Sequence, residues 1–122
     1  MSNPDRIKKN FIFKKVYTKG RYFAEDYLVL YVLKNNELSN KVGYSVSKKV
    51  GNSVIRNRVK RLMKENFRQV YKDLKTGYYL VFTARIKSKD ANYYDIKNSM
   101  KRALNRARLF KKEEVEKKWD IF

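Results

Sequence analysis

The chain has 122 residues, of which 31 are lysine or arginine and 12 are aspartate or glutamate, so its formal net charge is +19. It contains no cysteine, which excludes a disulfide framework and a thiolate metal site. It also contains no histidine, the commonest general acid–base residue. We predict one domain over residues 1–122, with a core at about 7–110 and a tail at 111–122. Such a strong positive charge is typical of proteins that bind a polyanion.

Membrane insertion and export are not indicated by the sequence. No apolar run approaches the roughly 20 residues that a membrane-spanning helix needs. Residues 1–10 are polar and lack the apolar centre of a signal peptide. We therefore expect a cytoplasmic protein with no membrane partner.

A short first helix is predicted over residues 11–18, with Asn10 as its N-cap and Gly20 just beyond its end. Phe13 and Tyr17 lie four residues apart and share its apolar face. We expect this helix at an edge of the sheet, where it would open a cleft beside an exposed sheet face.

Two or three strands follow the first helix. Residues 22–34 are rich in β-forming side chains, and residues 41–50 alternate between apolar and polar side chains. The polar set of residues 41–50 is small, hydroxylic or basic, which suits a sugar-phosphate strand better than a core. It consists of Lys41, Gly43, Ser45, Ser47 and Lys49.

The central helix is predicted over residues 54–74, with Ser53 as a hydroxyl cap and an apolar stripe that faces the core. Its first two turns are crowded with cations, although the helix dipole disfavours cations at this end. A negatively charged ligand, most simply phosphate, would compensate for them. The alternative is a solvated basic helix that has no partner.

The remaining elements are a buried strand over residues 78–84, a basic loop over 85–90 and a last helix. Asn92 is expected to cap that helix, with Asp95 completing a capping box. The predicted fold is therefore α+β, in the order α-β-β(-β)-α-β-α. It is a small sandwich with one mixed sheet and helices mainly on one face.

Residues 48–62, which contain the run Arg56-Asn57-Arg58, closely resemble the signature of the bacterial ribonuclease P protein component. The resemblance covers roughly residues 7–110. It implies an RNA-binding subunit whose RNA partner removes the 5′ leader of precursor tRNA with bound Mg²⁺. It also implies a left-handed βαβ crossover, similar to that of a ribosomal protein domain, against the usual right-handed rule.

The resemblance implies two RNA-binding regions and no catalytic side chain. Phe13, Tyr17, Val29 and Tyr31 would line a cleft for the single-stranded leader, to which strand alternation adds Ser45, Ser47 and Lys49. The catalytic RNA would contact the basic helix and the turn before it, through Lys48, Lys49, Gly51, Asn52, Arg56, Asn57, Arg58, Lys60, Arg61, Lys64 and Arg68.

Several alternatives stay open. Phe13 and Tyr31 could simply pack in the core, as is expected of Tyr22, Tyr78, Tyr79, Tyr93 and Tyr94. The last helix carries Lys101, Arg102, Arg106 and Arg108, which are expected to form a solvated basic face, with RNA contact as the alternative.

Two other functions also stay open. The chain could be a structural RNA-binding protein without the aromatic cleft, or a stand-alone nuclease that acts through carboxylates. Its acidic residues show no metal-binding spacing, so catalysis by its own side chains is not expected and no protein metal site is predicted. We also expect phosphate or sulfate to bind and stabilise the free protein.

Overall fold

The computed structural model describes residues 3–111, which form an α+β domain with three α-helices and one five-stranded mixed sheet. The strand order is β1-β4-β5-β3-β2, and the pairs β1–β4 and β4–β5 are parallel while the other two are antiparallel. The elements are β1 Asp5–Arg6, α1 Asn10–Lys19, β2 Arg21–Ala24, β3 Leu28–Lys34, β4 Lys41–Ser45, α2 Ser53–Val70, β5 Tyr78–Ala84 and α3 Tyr93–Arg106.

Helices α2 and α3 pack together on one face of the sheet and enclose the main core. Alternate residues of the central strands point towards them, among them Leu30 on β3 and Phe82 on β5, both fully buried. The helices contribute the apolar stripes that their periodicity predicted, including Val59, Met63, Phe67, Ile96, Met100 and Leu104. The predicted arrangement of one mixed sheet with helices mainly on one face is confirmed.

Helix α1 packs on the opposite face, over the central strands β3 and β5. The prediction that it lies at an edge of the sheet is wrong. Val16 is fully buried against Val81 and Ile7, and the apolar side chains of both central strands surround this contact. Since the apolar face of α1 needs an apolar partner, the helix lies over the middle of the sheet rather than beside it.

Two helix starts differ from the predicted ones. Asn52 rather than Ser53 caps α2, because the Asn52 side chain accepts a hydrogen bond from the backbone N–H of Ile55 at 3.0 Å. Helix α1 includes Asn10 and follows Lys9, which makes no side-chain cap. The capping box of Asn92 and Asp95 on α3 is confirmed.

The strand predictions need three changes. Most of residues 22–34 form a hairpin of β2 and β3. Strand β4 ends at Ser45, and residues 47–50 then form a turn in which the Val50 N–H donates a hydrogen bond to the Ser47 carbonyl at 3.1 Å. Strand β1 was not predicted, since a two-residue polar strand has no detectable alternation. Helix α2 stops at Val70 and continues as the 3₁₀ turn Tyr71–Asp73.

The parallel strands β4 and β5 are joined through α2, which makes the βαβ crossover of the fold. Its left-handed sense stays a prediction. Within residues 3–111 no helix is long and apolar enough to cross a bilayer. Most of the predicted tail, residues 112–122, lies outside the described residues.

Candidate nucleic-acid interface

The sheet face that carries α1 is left open at the end where β3 begins and where β4 and β5 finish. There, four side chains from four strands lie side by side in register: Ala24, Val29, Thr83 and Ser45. We call them the cross-strand row. None of the four is fully buried, and two carry hydroxyl groups. Two of these residues, Val29 and Ser45, belong to the predicted leader cleft.

Three tyrosines stand along the cross-strand row and form what we call the aromatic wall: Tyr17, Tyr22 and Tyr31. The rings of Tyr17 and Tyr31 meet edge to face, with centroids 4.8 Å apart, and the rings of Tyr22 and Tyr31 lie 6.2 Å apart. The Tyr17 hydroxyl and Thr83 Oγ1 are 3.0 Å apart, so the wall is hydrogen-bonded to the row. The structure thus brings Tyr17 and Tyr31 together with Val29 and Ser45, while their contact with a leader strand stays a prediction.

Tyr22 is a residue of this surface that the sequence analysis missed. We expected it to pack, but 68% of its surface is exposed. Tyr22 lies directly opposite Tyr31 in the β2–β3 hairpin, so both rings are on the sheet face that carries α1. Recognising the hairpin and its register would have revealed it. Tyr94, also expected to pack, is 66% exposed, whereas Tyr78, Tyr79 and Tyr93 are half-buried against the core clusters.

Phe13 occupies a different position from the other predicted cleft residues. It is half-buried in the cluster beneath α1, and its ring lies over the backbone of Gly43 on β4. Its contacts are those of a packing residue that seats α1 on the sheet. Ser47 and Lys49 are exposed, but they lie in the turn after β4 rather than on the strand.

The predicted contacts for the catalytic RNA extend along the turn and α2. Their exposed members include Lys48, Lys49, Asn57, Arg61 and Arg68. Arg61 approaches Glu65 at only 3.8 Å, and such an exposed pair contributes little to stability. Much of this positive charge is therefore available to a ligand.

Arg56 and Arg58 are partly used within the fold. Arg56 Nη1 donates to the Gly51 carbonyl at 2.8 Å, which closes the turn before α2. The Arg58 guanidinium donates to the carbonyls of Ala91, at 2.8 Å, and Lys89, and so ties α2 to the segment that leads into α3. A guanidinium has five N–H donors, so each arginine keeps donors for a second partner.

Arg106 is likewise not part of a free basic face, contrary to our expectation for the last helix. Its Nη1 donates to the Ala24 carbonyl at 2.7 Å and pairs with Glu25 at the same distance. This contact fastens the end of β2 to α3.

The family model described as Ribonuclease P matches residues 1–108 of the chain. The chain belongs to the ribonuclease P protein family. Among its relatives, the ribonuclease P protein component of Thermoanaerobacter sp. (strain X514) is 46% identical over 105 residues, covering 86% of this chain and 90% of the relative. The ribonuclease P protein component of Clostridium novyi (strain NT) is 49% identical over 112 residues, covering 90% of this chain and 99% of the relative. As a family member, the chain is a component of a tRNA-processing ribonuclease.

Solved ribonuclease P proteins have the same fold. The Staphylococcus aureus protein superimposes with a TM-score of 0.78 at 38% identity, covering 87% of this chain and 97% of that one. The Thermotoga maritima protein superimposes with a TM-score of 0.72 at 22% identity, over 78% of this chain and 92% of that one, and this likeness supports the fold alone.

Two electrostatic features of the domain lie where β1 and β4 meet α2. Burial lowers the pKa of Lys64, and the nearby cations Arg6 and Lys60 lower it further. Burial raises the pKa of the Tyr44 phenol, and the Arg6 guanidinium lies 5.0 Å from the centre of its ring. Arg6 was not among the predicted site residues, because nothing in the sequence places the N-terminal segment beside α2. Residues 3–111 contain no group of three or more His, Cys, Asp or Glu side chains that could hold a metal ion.

Proposed function

We propose that the chain binds the catalytic RNA of ribonuclease P through the basic surface of α2 and holds the single-stranded 5′ leader of precursor tRNA on the cross-strand row. Through both contacts it would promote the Mg²⁺-dependent endonucleolytic maturation of the tRNA 5′ end in the cytoplasm. One observation carries the proposal. The open row beside the aromatic wall ends at Ser45, and the chain runs directly from there through a basic turn into α2.

The cross-strand row suits an unpaired RNA strand in size and chemistry. Four strands spaced by about 4.8 Å give a row about 14 Å long, the length of about four stacked nucleotides at 3.4 Å each. The aromatic wall offers rings on which bases of any sequence can stack. The hydroxyls of Thr83 and Ser45 can hydrogen-bond to riboses or phosphates. Such a surface favours a leader without demanding one base sequence.

The basic surface of α2 suits a structured RNA. Its cations neutralise phosphates, and the Asn57 amide can both donate and accept, which fits a base edge or a 2′-hydroxyl. The proposal places Mg²⁺ on the RNA partner, where it would activate the attacking water. The role of this chain is to neutralise charge and to position the substrate.

The test is single-turnover cleavage of a precursor tRNA by a bacterial ribonuclease P RNA at low Mg²⁺, with and without this protein. The proposal expects the protein to restore correct 5′ maturation. Binding to the RNA without rescue would instead favour a purely structural RNA-binding protein. Metal-dependent cleavage by protein free of RNA would favour a stand-alone nuclease.

A further inference from the structure

A groove lies where the loop 35–40 between β3 and β4, the end of α2 and Lys111 come together. Its volume is about 580 Å³, and the buried side chains of Phe67 and Leu74 contribute to its lining, with polar side chains along the rest. Leu38 also lines it, with 96% of its surface exposed. A single exposed leucine is ordinary, but one beside other apolar side chains offers a surface that a further apolar group can cover.

The loop that carries Leu38 is held in place by hydrogen bonds. The Asn35 amide donates to the Ser39 carbonyl at 3.1 Å and closes the loop. The Asn40 amide donates to the Lys75 carbonyl at 2.8 Å, which fastens the loop to the segment after α2. Because this wall of the groove is already ordered, covering it costs little further conformational entropy.

The last described residues pass beside the groove in a fixed direction. The Lys75 N–H donates to the Leu109 carbonyl at 2.7 Å. Two residues further on, the Lys111 N–H donates to the Asp73 carbonyl at 2.9 Å, so the two segments run antiparallel. The Lys111 ammonium donates to the Lys72 carbonyl at 3.1 Å, and both lysines line the groove. At Lys111 the chain is therefore directed along the groove, towards the end of α2.

Residues 112–122 have the composition of a segment that can cover such a groove. Their apolar side chains are Val115, Trp119, Ile121 and Phe122. They also hold four of the 12 acidic residues of the chain, whereas the domain that precedes them is strongly basic and attracts negative charge. Trp119 is eight residues beyond Lys111, a span of at most about 26 Å. A segment tethered beside its site has an effective concentration of the order of millimolar, which favours it over a partner in free solution.

We propose that residues 112–122 fold back onto the domain and cover this groove, with the Trp119 ring against Leu38. The contact is intramolecular and requires no RNA. It stabilises the free protein, because it removes the Leu38 side chain and the indole ring from water.

The first experiment uses Trp119 as its own probe, since the chain has no other tryptophan. Emission spectra and acrylamide quenching are recorded on the full chain for the wild type, Leu38→Ser and Ile86→Ser. Ile86 is the matched control, because it is also an exposed aliphatic side chain but follows the end of β5, whereas the loop 35–40 lies beside the start of that strand.

We expect the wild type and Ile86→Ser to emit at shorter wavelength than the urea-unfolded protein and to be protected from acrylamide. Leu38→Ser is expected to lose most of this protection. Wild-type emission equal to that of the unfolded protein would overturn the proposal, and so would undiminished protection in Leu38→Ser.

The second experiment tests the contact between the two side chains by thermal melts of Leu38→Ser, Trp119→Ser and the double variant. We expect each single substitution to lower the melting temperature by roughly 3–6 °C. The double variant should melt no lower than the less stable single variant, because either substitution removes the contact. Additive losses would overturn the contact of Trp119 with Leu38.

Dilution distinguishes the chain's own segment from that of a second copy. Emission spectra and sedimentation velocity are recorded over a wide range of protein concentrations. We expect a monomer whose emission does not change on dilution. A shift to longer wavelength that accompanies the dissociation of a dimer would overturn the intramolecular contact and assign the groove to residues 112–122 of a second copy.

Discussion

The ring of Phe13 lies directly over Gly43, so close that a Cβ at Gly43 would come within 2.5 Å of Phe13 Cζ. Contact at that distance is a steric clash with the rigid edge of an aromatic ring. The absence of a side chain at Gly43 therefore lets α1 pack closely on the sheet. The position of α1 in turn determines how much of the sheet face stays open for the cross-strand row.

Gly43→Ala is expected to lower the free energy of unfolding by about 1–3 kcal/mol, because the added methyl group must push Phe13 and α1 away. Urea denaturation measures the loss. Phe13→Leu in the same background supplies the control, since a smaller side chain makes room for the methyl group. A cost for Gly43→Ala that is the same with and without Phe13→Leu would show that this contact is not its cause.

Arg58→Lys is expected to destabilise the fold by about 1–3 kcal/mol, because an ammonium group cannot reproduce a planar fork that bonds two carbonyls. Hydrogen exchange should also become faster in the 3₁₀ segment Ile86–Asp90. Asn57→Ala is the neighbouring control: Asn57 is exposed, so stability should change by less than about 0.5 kcal/mol while RNA affinity falls. Equal stability of Arg58→Lys and the wild type would contradict a structural role for this guanidinium.

Tyr22→Ala is expected to weaken the binding of leader-bearing precursor tRNA by about 1–3 kcal/mol, the range for the loss of one stacking ring. Tyr94→Ala is a matched control, because Tyr94 is equally exposed but lies on α3. Equilibrium binding to the holoenzyme, with leader-bearing and leaderless tRNA, measures both. Equal effects of the two substitutions would mean that Tyr22 has no special contact with the leader.

Lys64→Met is expected to stabilise the free protein at neutral pH, because it removes a cation whose pKa is lowered by burial and by Arg6 and Lys60. The folded state holds the Lys64 proton less tightly than the unfolded state does. Wild-type stability is therefore reduced below the folded-state pKa, and this deficit disappears as the pH rises towards the ordinary value of 10.5. The advantage of Lys64→Met in denaturant melts should shrink over that range. An advantage that does not change with pH would assign the effect to packing alone.

Features that depend on neighbouring residues could be predicted from the sequence. Strand β5 has the predicted bounds, and the capping box at Asn92 forms as expected. The apolar stripe of α2 and its basic opposite side also follow from helical periodicity. These features are predictable because a capping box and side-chain periodicity are properties of a short stretch of chain, although the predicted caps of α1 and α2 were each one residue too late.

Apart from shifted helix and strand ends, the errors involve contacts between distant parts of the chain. The short β1 forms only because β4 accepts it as a parallel neighbour, and α1 lies over the central strands because their apolar side chains are there. For the same reason the sequence did not reveal Tyr22, whose position depends on the register of the hairpin, or Arg6, whose partner Tyr44 lies on β4.

By itself, the sequence determined the kinds of elements, the polyanionic class of the partner and the helix that carries most of the charge, because composition and periodicity are local properties. Only the tertiary structure decided which of these residues act together. Strand register aligned Ala24, Val29, Thr83 and Ser45 into one row, and parallel pairing placed Arg6 beside α2. Each of these arrangements joins residues far apart in the chain, and only the packing of the whole domain compensates for the entropy of bringing them together.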